Sequence, residues 1–299
     1  MRAYARARST AVGAVWGSAG GRLVGCYGGE ISKDRRAALS PARHTHRGKI
    51  GPMSSRPRSG GKLAFAPRVL PLGDGAVMAE LAGALDLDAN AAAHRIAADV
   101  RRHAPEWVVD VVPAIVTVTV HFAAATAADA AARRNGATRL LMEAIERAGG
   151  AAPAAPERVV EIPVCYQAPH ALDLAEVAAA TGLPEDEVVR AHVGAAHRVL
   201  MIGFAPGHPY IGGLDARLEV PRRATPRPRM APGAVAIANA QTSIYPFATP
   251  GGWNVIGRTP LVLFDPARDP PSLLAAGDGV AFVPISPEAF ERIAAGRGR

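Results

Sequence analysis

Hydrophobic and polar residues alternate in several short stretches of the first half of the chain, which is the pattern of half-buried strands. Residues 68–72 and 76–81 flank Gly73-Asp74-Gly75, a turn sequence typical of a β-hairpin. Residues 108–113 and 115–122 are rich in Val, and the second of them carries Val at alternate positions. These stretches predict four strands, the first two of which form a hairpin.

Two further segments have apolar residues at helical spacing. Asp86 is placed to cap a helix that extends to about His103, and residues 130–147 form a second amphipathic stretch that ends at Gly149-Gly150. Strands and helices in this order predict a small α+β domain over 68–150, with both helices on one side of the sheet.

The second half of the chain begins after an Ala- and Pro-rich linker at 151–156. Residues 159–166 predict a strand, 174–181 and 184–192 predict two short helices, and 197–204 predict another strand. The linker therefore marks a predicted domain boundary.

From Phe204 to Pro266, Gly- and Pro-dense segments alternate with short apolar runs, such as those at 233–238 and 259–264. Gly permits positive φ and Pro fixes φ, so the dense segments are rigid, sharply shaped loops. The apolar runs between them predict strands. The pattern predicts a mainly β domain over 157–290, a barrel or a sandwich, whose loops carry aromatic and amide groups.

The charge of the chain is unevenly distributed. Residues 1–62 hold 13 of the 34 Lys and Arg residues but two acids, a formal charge of +11, whereas the remainder has 21 basic and 24 acidic residues. We predict that residues 1–62 are a disordered or mis-assigned extension, with Met53 as the true start. A nucleic-acid or membrane partner is therefore not indicated for the rest of the chain.

Several chemistries are excluded after residue 62. All three lysines lie within residues 1–62, which excludes a Schiff-base lysine, and no GxxxxGK(S/T) motif offers a P-loop for ATP. The two cysteines, Cys26 and Cys165, belong to no cluster with metal-ligand spacing, so we predict no metal site. Reduced thiols and the lack of a long apolar run predict a cytoplasmic protein.

Four arginines, Arg222, Arg223, Arg227 and Arg229, form the densest charge after residue 62. Guanidinium groups bind carboxylates bidentately, so this segment suits a small acid as ligand. A solvated loop or a surface for an acidic partner is the alternative interpretation.

Gln241, Thr242 and Tyr245 bring amide, hydroxyl and phenol groups close together in the sequence. On a strand, Gln241, Ser243 and Tyr245 would share one face and Thr242 would lie on the other. Amide and phenol groups suit a lactam or a urea-like ligand, and capping of loop backbone is the alternative role.

The loops at 206–210 and 251–253 supply the other candidates. His208 suits proton transfer near neutral pH or, alternatively, aromatic-like packing. Gly251-Gly252 would let backbone amides approach a ligand, and Trp253 suits a wall, a lid or core filling. The candidate substrate-binding residues are Pro206, Gly207, His208, Tyr210, Arg222, Arg223, Arg227, Gln241, Thr242, Tyr245, Gly251, Gly252, Trp253 and Arg258.

The chain contains no Ser-His-Asp, GxSxG or HExxH pattern, so no catalytic residue is assigned. An incomplete catalytic set indicates a subunit whose active site is completed by a partner.

The stretch from Phe204 to Pro266 closely resembles the family of B-type 5-oxoprolinase subunits, also known as allophanate hydrolase subunit 1 or the KipI-like family. The resemblance covers about 68–290, with departures at His208, where the family has Phe, and at Asn239-Ala240, where it has Gly. The residues that carry the resemblance are Gly203-Phe204, Pro206-Gly207, Pro209-Tyr210, Gly212-Gly213-Leu214-Asp215, Pro221-Arg222-Arg223, Thr225-Pro226-Arg227, Gln241-Thr242, Ile244-Tyr245-Pro246, Pro250-Gly251-Gly252-Trp253 and Ile256-Gly257-Arg258-Thr259-Pro260.

The resemblance implies a cyclophilin-like β-barrel and a role within a bacterial ATP-dependent 5-oxoprolinase, which opens 5-oxoproline to glutamate. It implies a C-type partner, similar to allophanate hydrolase subunit 2, together with an A-type partner. ATP would be used by the complex and not held by a P-loop in this chain. The loops at 206–210, 222–227 and 241–258 would face the cleft between the subunits.

Two alternatives stay open. Similar domains form the carboxyltransferase half of urea- or allophanate-type systems, and some relatives act as regulatory inhibitors of a histidine kinase.

Overall fold

The computed structural model of the protein describes residues 66–148, 156 and 158–296. The predicted extension, Cys26, Gly149-Gly150 and most of the linker lie outside these residues. The strands are Arg68–Leu72 (β1), Ala76–Glu80 (β2), Val108–Pro113 (β3), Thr117–Phe122 (β4), Val159–Val164 (β5), His197–Ile202 (β6), Pro209–Gly212 (β7), Ala234–Ala238 (β8), Gln241–Ile244 (β9), Asn254–Arg258 (β10) and Gly279–Pro284 (β11). The helices are Leu87–His103 (α1), Ala127–Ala148 (α2), Leu174–Thr181 (α3), Glu185–Val193 (α4) and Pro287–Ala295 (α5).

The first sheet is antiparallel in the order β1-β2-β4-β3. The hairpin predicted for β1 and β2 is confirmed, and Gly73 adopts a φ of 61° in its turn. Val77, Val118 and Val120 from one face of the sheet share a buried core with Ile96 of α1 and Leu141 of α2. Both helices therefore cover the same side of the sheet, as the sequence predicts.

Helix α1 begins where the sequence predicts and also contacts the second sheet. The Asp86 carboxylate accepts a 2.8 Å hydrogen bond from the backbone amide of Ala89, which satisfies a free donor of the first turn. Asn90 Nδ2 and His94 Nε2 both donate to the Leu200 carbonyl, at 3.1 and 2.8 Å. Two side chains of α1 are thus tied to strand β6.

The second sheet has seven strands in the order β10-β8-β9-β7-β6-β11-β5. Its strand pairs are antiparallel except for β11 with β5, which run parallel. The backbones of Cys165, just after β5, and Arg258, at the end of β10, exchange hydrogen bonds of 2.8 and 3.0 Å. This bridge joins the two edges of the sheet, which makes it a nearly closed barrel.

Strand β8 shows the two sides of this barrel. Val235 and Ile237 point into the buried core of the barrel. Ala234, Ala236 and Ala238 lie on the opposite side, in a second buried cluster with aromatic residues of the adjoining loops. We call this side the outer face. The small alanines leave room for aromatic rings to pack on it.

His192 forms a fully satisfied polar chain inside the barrel. The Tyr166 hydroxyl lies 2.9 Å from His192 Nδ1, His192 Nε2 lies 3.1 Å from Thr242 Oγ1, and that hydroxyl donates to the Ala236 carbonyl at 3.2 Å. Burial holds the pKa of His192 well below its ordinary value, so the ring is neutral. His192 is therefore a structural residue.

The strand predicted at 259–264 is wrong. Regular pairing of β10 ends at Arg258, and the next residues form an irregular loop in which the Leu261 amide donates to Thr259 Oγ1 at 3.2 Å. Pro260 has no amide hydrogen to donate to a neighbouring strand, which explains why the apolar run does not continue the sheet.

Among the described residues, no helix combines the length and the hydrophobicity needed to cross a membrane. The same part of the chain contains no group of three or more His, Cys, Asp or Glu side chains placed to hold a metal ion.

Candidate functional site

Four aromatic side chains lie in contact at the outer face of the barrel. The His208 ring lies 5.3 Å from that of Tyr210 and 5.0 Å from that of Tyr245, and Tyr210 lies 6.2 Å from Trp253. We call these four residues the aromatic cluster. Phe204 extends the cluster, with its ring 5.3 Å from His208. The structure therefore brings together Tyr210 of β7 with residues from the loops before β7, after β9 and before β10.

His208 is held by a turn that requires glycine. Gly207 has a φ of 70°, and a Cβ atom there would lie 2.7 Å from the Cβ of Phe264. The Gly203 amide donates to the His208 carbonyl at 3.0 Å, which closes the loop below the ring. The His208 side chain is consequently 3% exposed, and burial lowers its pKa to about 4. The imidazole is neutral at physiological pH.

Tyr245 and Arg222 form the polar end of the cluster. Burial is the main cause that raises the pKa of Tyr245 to about 12, so its phenol stays protonated. The guanidinium of Arg222 lies over the Trp253 ring, 5.8 Å from its centre. Among the described residues Arg222 has no carboxylate partner, which leaves its charge available to an anionic group.

The polar residues of β9 lie on opposite faces of the strand, because successive side chains alternate in direction. Thr242 is fully buried and points into the barrel towards His192, whereas Ser243 contacts His208 on the outer face. Gln241 is half-buried, and its amide nitrogen has no hydrogen-bond partner within the described chain. The alternation expected from the sequence is confirmed for Thr242 and Ser243.

Two of the candidate arginines are held by one buried carboxylate. Asp173, with 0% side-chain exposure, accepts from Arg223 Nη1 at 2.7 Å and from both terminal nitrogens of Arg227 at 2.7 and 2.5 Å. Asp173 also accepts from the Val255 amide at 2.7 Å. The carboxylate therefore fixes the arginine segment against β10, and Arg222 is the member of this group that reaches the aromatic cluster.

The Gly251-Gly252 pair also supports this segment. The Gly251 amide donates to the Arg227 carbonyl at 3.0 Å, and the Gly252 carbonyl accepts from the Arg223 amide at 2.7 Å. A Cβ atom on Gly251 would lie 2.5 Å from the Tyr245 hydroxyl, so glycine is needed for the close approach. The Gly251 amide is thus committed to the loop backbone.

Arg258 lies apart from the aromatic cluster. Its guanidinium lies 5.4 Å from the centre of the Phe290 ring, and its Nε donates to the Pro232 carbonyl at 2.9 Å. It lines a cavity of about 290 Å³ together with His170 and Arg229. A second hollow, of about 380 Å³, is lined by Arg222, Arg223 and Asn254, the last of which directly follows Trp253.

The profile of the family described as carboxyltransferase domain, subdomain C and D, matches residues 67–274. The chain belongs to this family. A curated relative from Bacillus subtilis strain 168, named as the B-type subunit of 5-oxoprolinase, is 51% identical over 129 residues. That match covers 43% of this chain and 54% of the relative, so the chain spans about half the length of the curated relative.

Two solved structures are similar to this carboxyltransferase-domain protein. TTHA0988 is 33% identical with a TM-score of 0.59, over 71% of this chain and 40% of that one. The urea carboxylase of Kluyveromyces lactis is 20% identical with a TM-score of 0.59, over 77% of this chain and 22% of that one. The second likeness shows a shared fold.

Sequence reasoning missed three residues of the site. Asp173 precedes a helix and so has the sequence signal of an N-cap, but its side chain makes no cap hydrogen bond and pairs with arginines instead. Strand alternation places Ser243 on the correct face but indicates no role for it. Phe204 adopts a φ of 69° although it is not glycine, a strained conformation that no local sequence signal reveals.

We expect this carboxyltransferase-domain protein to lose stability in acid, in part because of His208. Its folded pKa of about 4 lies below the ordinary value of 6.5, so between these pH values the unfolded chain binds a proton that the folded chain does not. The contribution of His208 to the free energy of unfolding is therefore fully present above about pH 6.5 and is lost as the pH falls towards 4. When the pH is lowered from 7.5 to 4.5, the free energy of unfolding of the His208→Phe variant should fall by about 2 kcal/mol less than that of the wild type.

Urea unfolding, followed by tryptophan fluorescence at both pH values, measures this difference. Identical losses in the two proteins would show that His208 is not a source of the acid sensitivity.

Proposed function

We propose that this chain is one subunit of an ATP-dependent 5-oxoprolinase, which opens 5-oxoproline to glutamate together with C-type and A-type partners. The observation that carries the proposal is the 51% identity to the Bacillus subtilis protein named as the B-type subunit of 5-oxoprolinase. The shared fold with the urea carboxylase supports a cyclophilin-like carboxyltransferase barrel as scaffold. The complex would be cytoplasmic, and ATP would be bound outside this chain.

The aromatic cluster suits such a substrate. 5-Oxoproline is a small, flat ring with one carboxylate and one cis-amide, and the rings of Tyr210, Tyr245 and Trp253 provide apolar walls for it. Arg222 provides a cation at the edge of these walls. We assign the carboxylate to Arg222, because Arg223 and Arg227 are already paired with Asp173.

Co-expression with C-type and A-type partners tests the proposal. We expect glutamate to be released from 5-oxoproline when ATP is present, and release to stop when this chain is omitted. Release from urea or allophanate in place of 5-oxoproline would favour the carboxyltransferase alternative. A stable complex with a histidine kinase and no turnover would favour the regulatory alternative.

Replacing Arg222 with Ala tests the assignment of the carboxylate. A charge-assisted hydrogen bond contributes about 1.5–3 kcal/mol, so we expect the KM for 5-oxoproline to rise about tenfold or more with little change in kcat. Arg229→Ala is the matched control, because Arg229 is an exposed arginine of the same segment that lines the other cavity. Equal effects of the two substitutions would contradict the assignment.

A further inference from the structure

Two polar atoms in the candidate site are buried without a hydrogen-bond partner in the described part of the chain. They are His208 Nδ1 and Gln241 Nε2. Leaving a buried polar atom unpaired costs about 1–3 kcal/mol, and folded proteins rarely do so. The two atoms therefore require an explanation that the barrel alone does not supply.

The hydrogen-bond chain at Ser243 identifies the tautomer of His208. Ser243 Oγ lies 2.8 Å from the Pro209 carbonyl, which can only accept, so the single hydroxyl proton is donated there. Ser243 Oγ must then accept from His208 Nε2, 2.9 Å away. Since the ring is neutral, the proton is on Nε2 and Nδ1 carries a free lone pair. The unpaired atom of His208 is an acceptor.

His192 is an imidazole of the same barrel in which both ring nitrogens have hydrogen-bond partners. It also faces a hydroxyl of β9 through Nε2, that of Thr242, and its Nδ1 is paired with the Tyr166 hydroxyl at 2.9 Å. The same strand thus positions one imidazole on each side of the barrel. The inner one is satisfied by the protein, and the outer one lacks a donor for Nδ1 among the described residues.

Gln241 provides the complementary group. It lies two residues before Ser243, so strand alternation places it on the same face of β9. Its unpaired amide nitrogen is a donor. One face of one strand therefore presents an unpaired acceptor, held through Ser243, and an unpaired donor. The aromatic rings around His208 exclude water, which strengthens hydrogen bonds to a ligand.

We infer that His208 and Gln241 select a cyclic amide, His208 Nδ1 accepting its N–H and the Gln241 amide donating to its carbonyl oxygen. This inference rests on the proposed function and deepens it, because it names a group by which this chain, with His208 where the family has Phe, recognises the lactam. Phe204, which is 68% exposed, lies against the His208 ring.

The test compares a lactam with its lactone in the reconstituted complex without ATP. 5-Oxoproline and the five-membered lactone carboxylate have the same shape, but the lactone has a ring oxygen in place of the N–H. We expect the wild type to bind the lactam about 10- to 100-fold more tightly in calorimetric titration, since the lactone leaves His208 Nδ1 unpaired. In His208→Phe the two ligands should bind with equal affinity.

The ratio of lactam to lactone affinity is measured on the wild type, so it tests the role of His208 even if a substitution impairs folding. Equal affinities in the wild type would overturn the role of His208, while ATP-dependent glutamate release would still support the proposed function. Discrimination that persists in His208→Phe would also overturn it. Failure to bind the lactam, together with absence of glutamate release, would overturn both proposals.

Discussion

Replacing Asp173 with Asn is expected to lower the free energy of unfolding by about 3 kcal/mol, because it removes one partner of a buried ion pair. The carboxylate receives hydrogen bonds from Arg223, Arg227 and the Val255 amide. An amide cannot balance two guanidinium charges, and its NH₂ group would face donors. The arginines are about one quarter exposed, so part of their charge can be rehydrated and the loss stays near the lower end of the range for buried pairs.

The matched control is Glu176→Gln. Glu176 also pairs with Arg223 Nη1, at 2.6 Å, but its side chain is 64% exposed, so we expect a loss of less than about 1 kcal/mol. Urea unfolding measures both variants. Hydrogen exchange supplies a second readout, since the amides of Arg223 and Arg227 donate to Gly252 and Gly251 and should exchange faster in Asp173→Asn alone.

Similar, small losses in the two variants would mean that the buried ion pair does not hold the arginine segment in place. We would then expect Arg222 to keep its position over Trp253 without Asp173, and activity of the reconstituted complex to survive the substitution.

Gly233→Ala should destabilise the barrel by about 3 kcal/mol, from a strained backbone and a steric clash together. Gly233 has a φ of 81°, and a Cβ atom there would lie 2.1 Å from the Thr259 carbonyl oxygen. The left-handed conformation costs an alanine about 1–2 kcal/mol, and the clash with backbone adds about 1–3 kcal/mol because backbone cannot rotate away as a side chain can. The Gly233 amide donates to the Tyr245 carbonyl, and the Gly233 carbonyl accepts from the Thr259 amide. A shift of the Gly233 backbone would therefore reach the aromatic cluster.

Gly277→Ala separates the two causes. Gly277 has a φ of 94°, but nothing lies within 4 Å of a Cβ atom built there. This variant should lose about 1–2 kcal/mol from the backbone conformation alone. Thermal or urea unfolding of both variants gives the comparison, and equal losses would show that close packing against Thr259 is not what requires glycine at 233.

Much of the fold was predictable because short-range patterns specify it. The alternating valines of β4, the cap at Asp86 and the turn at Gly73 each depend on residues within a few positions, and the structure has each element where the pattern predicts it. The run at 259–264 shows the limit of such patterns. Its hydrophobicity favours a strand, but Pro260 cannot donate to one.

The sequence predicted which residue types form the site, but only part of how they are arranged. The aromatic cluster is formed by residues in or beside the Gly- and Pro-dense segments, and strand alternation correctly separates Thr242 from Ser243. The arginines are equivalent in the sequence. The structure distinguishes Arg222 from the others.

Local sequence patterns specify most of the elements, the turns and the membership of the carboxyltransferase-domain family, because periodicity and motif spacing are local properties of the chain. Which polar groups meet depends on the tertiary structure. Asp173 lies 50 residues from Arg223, and His208 lies 35 residues from Ser243. Those pairs depend on how the barrel orders its strands and closes, and burial then determines which atoms lose water and must find a partner.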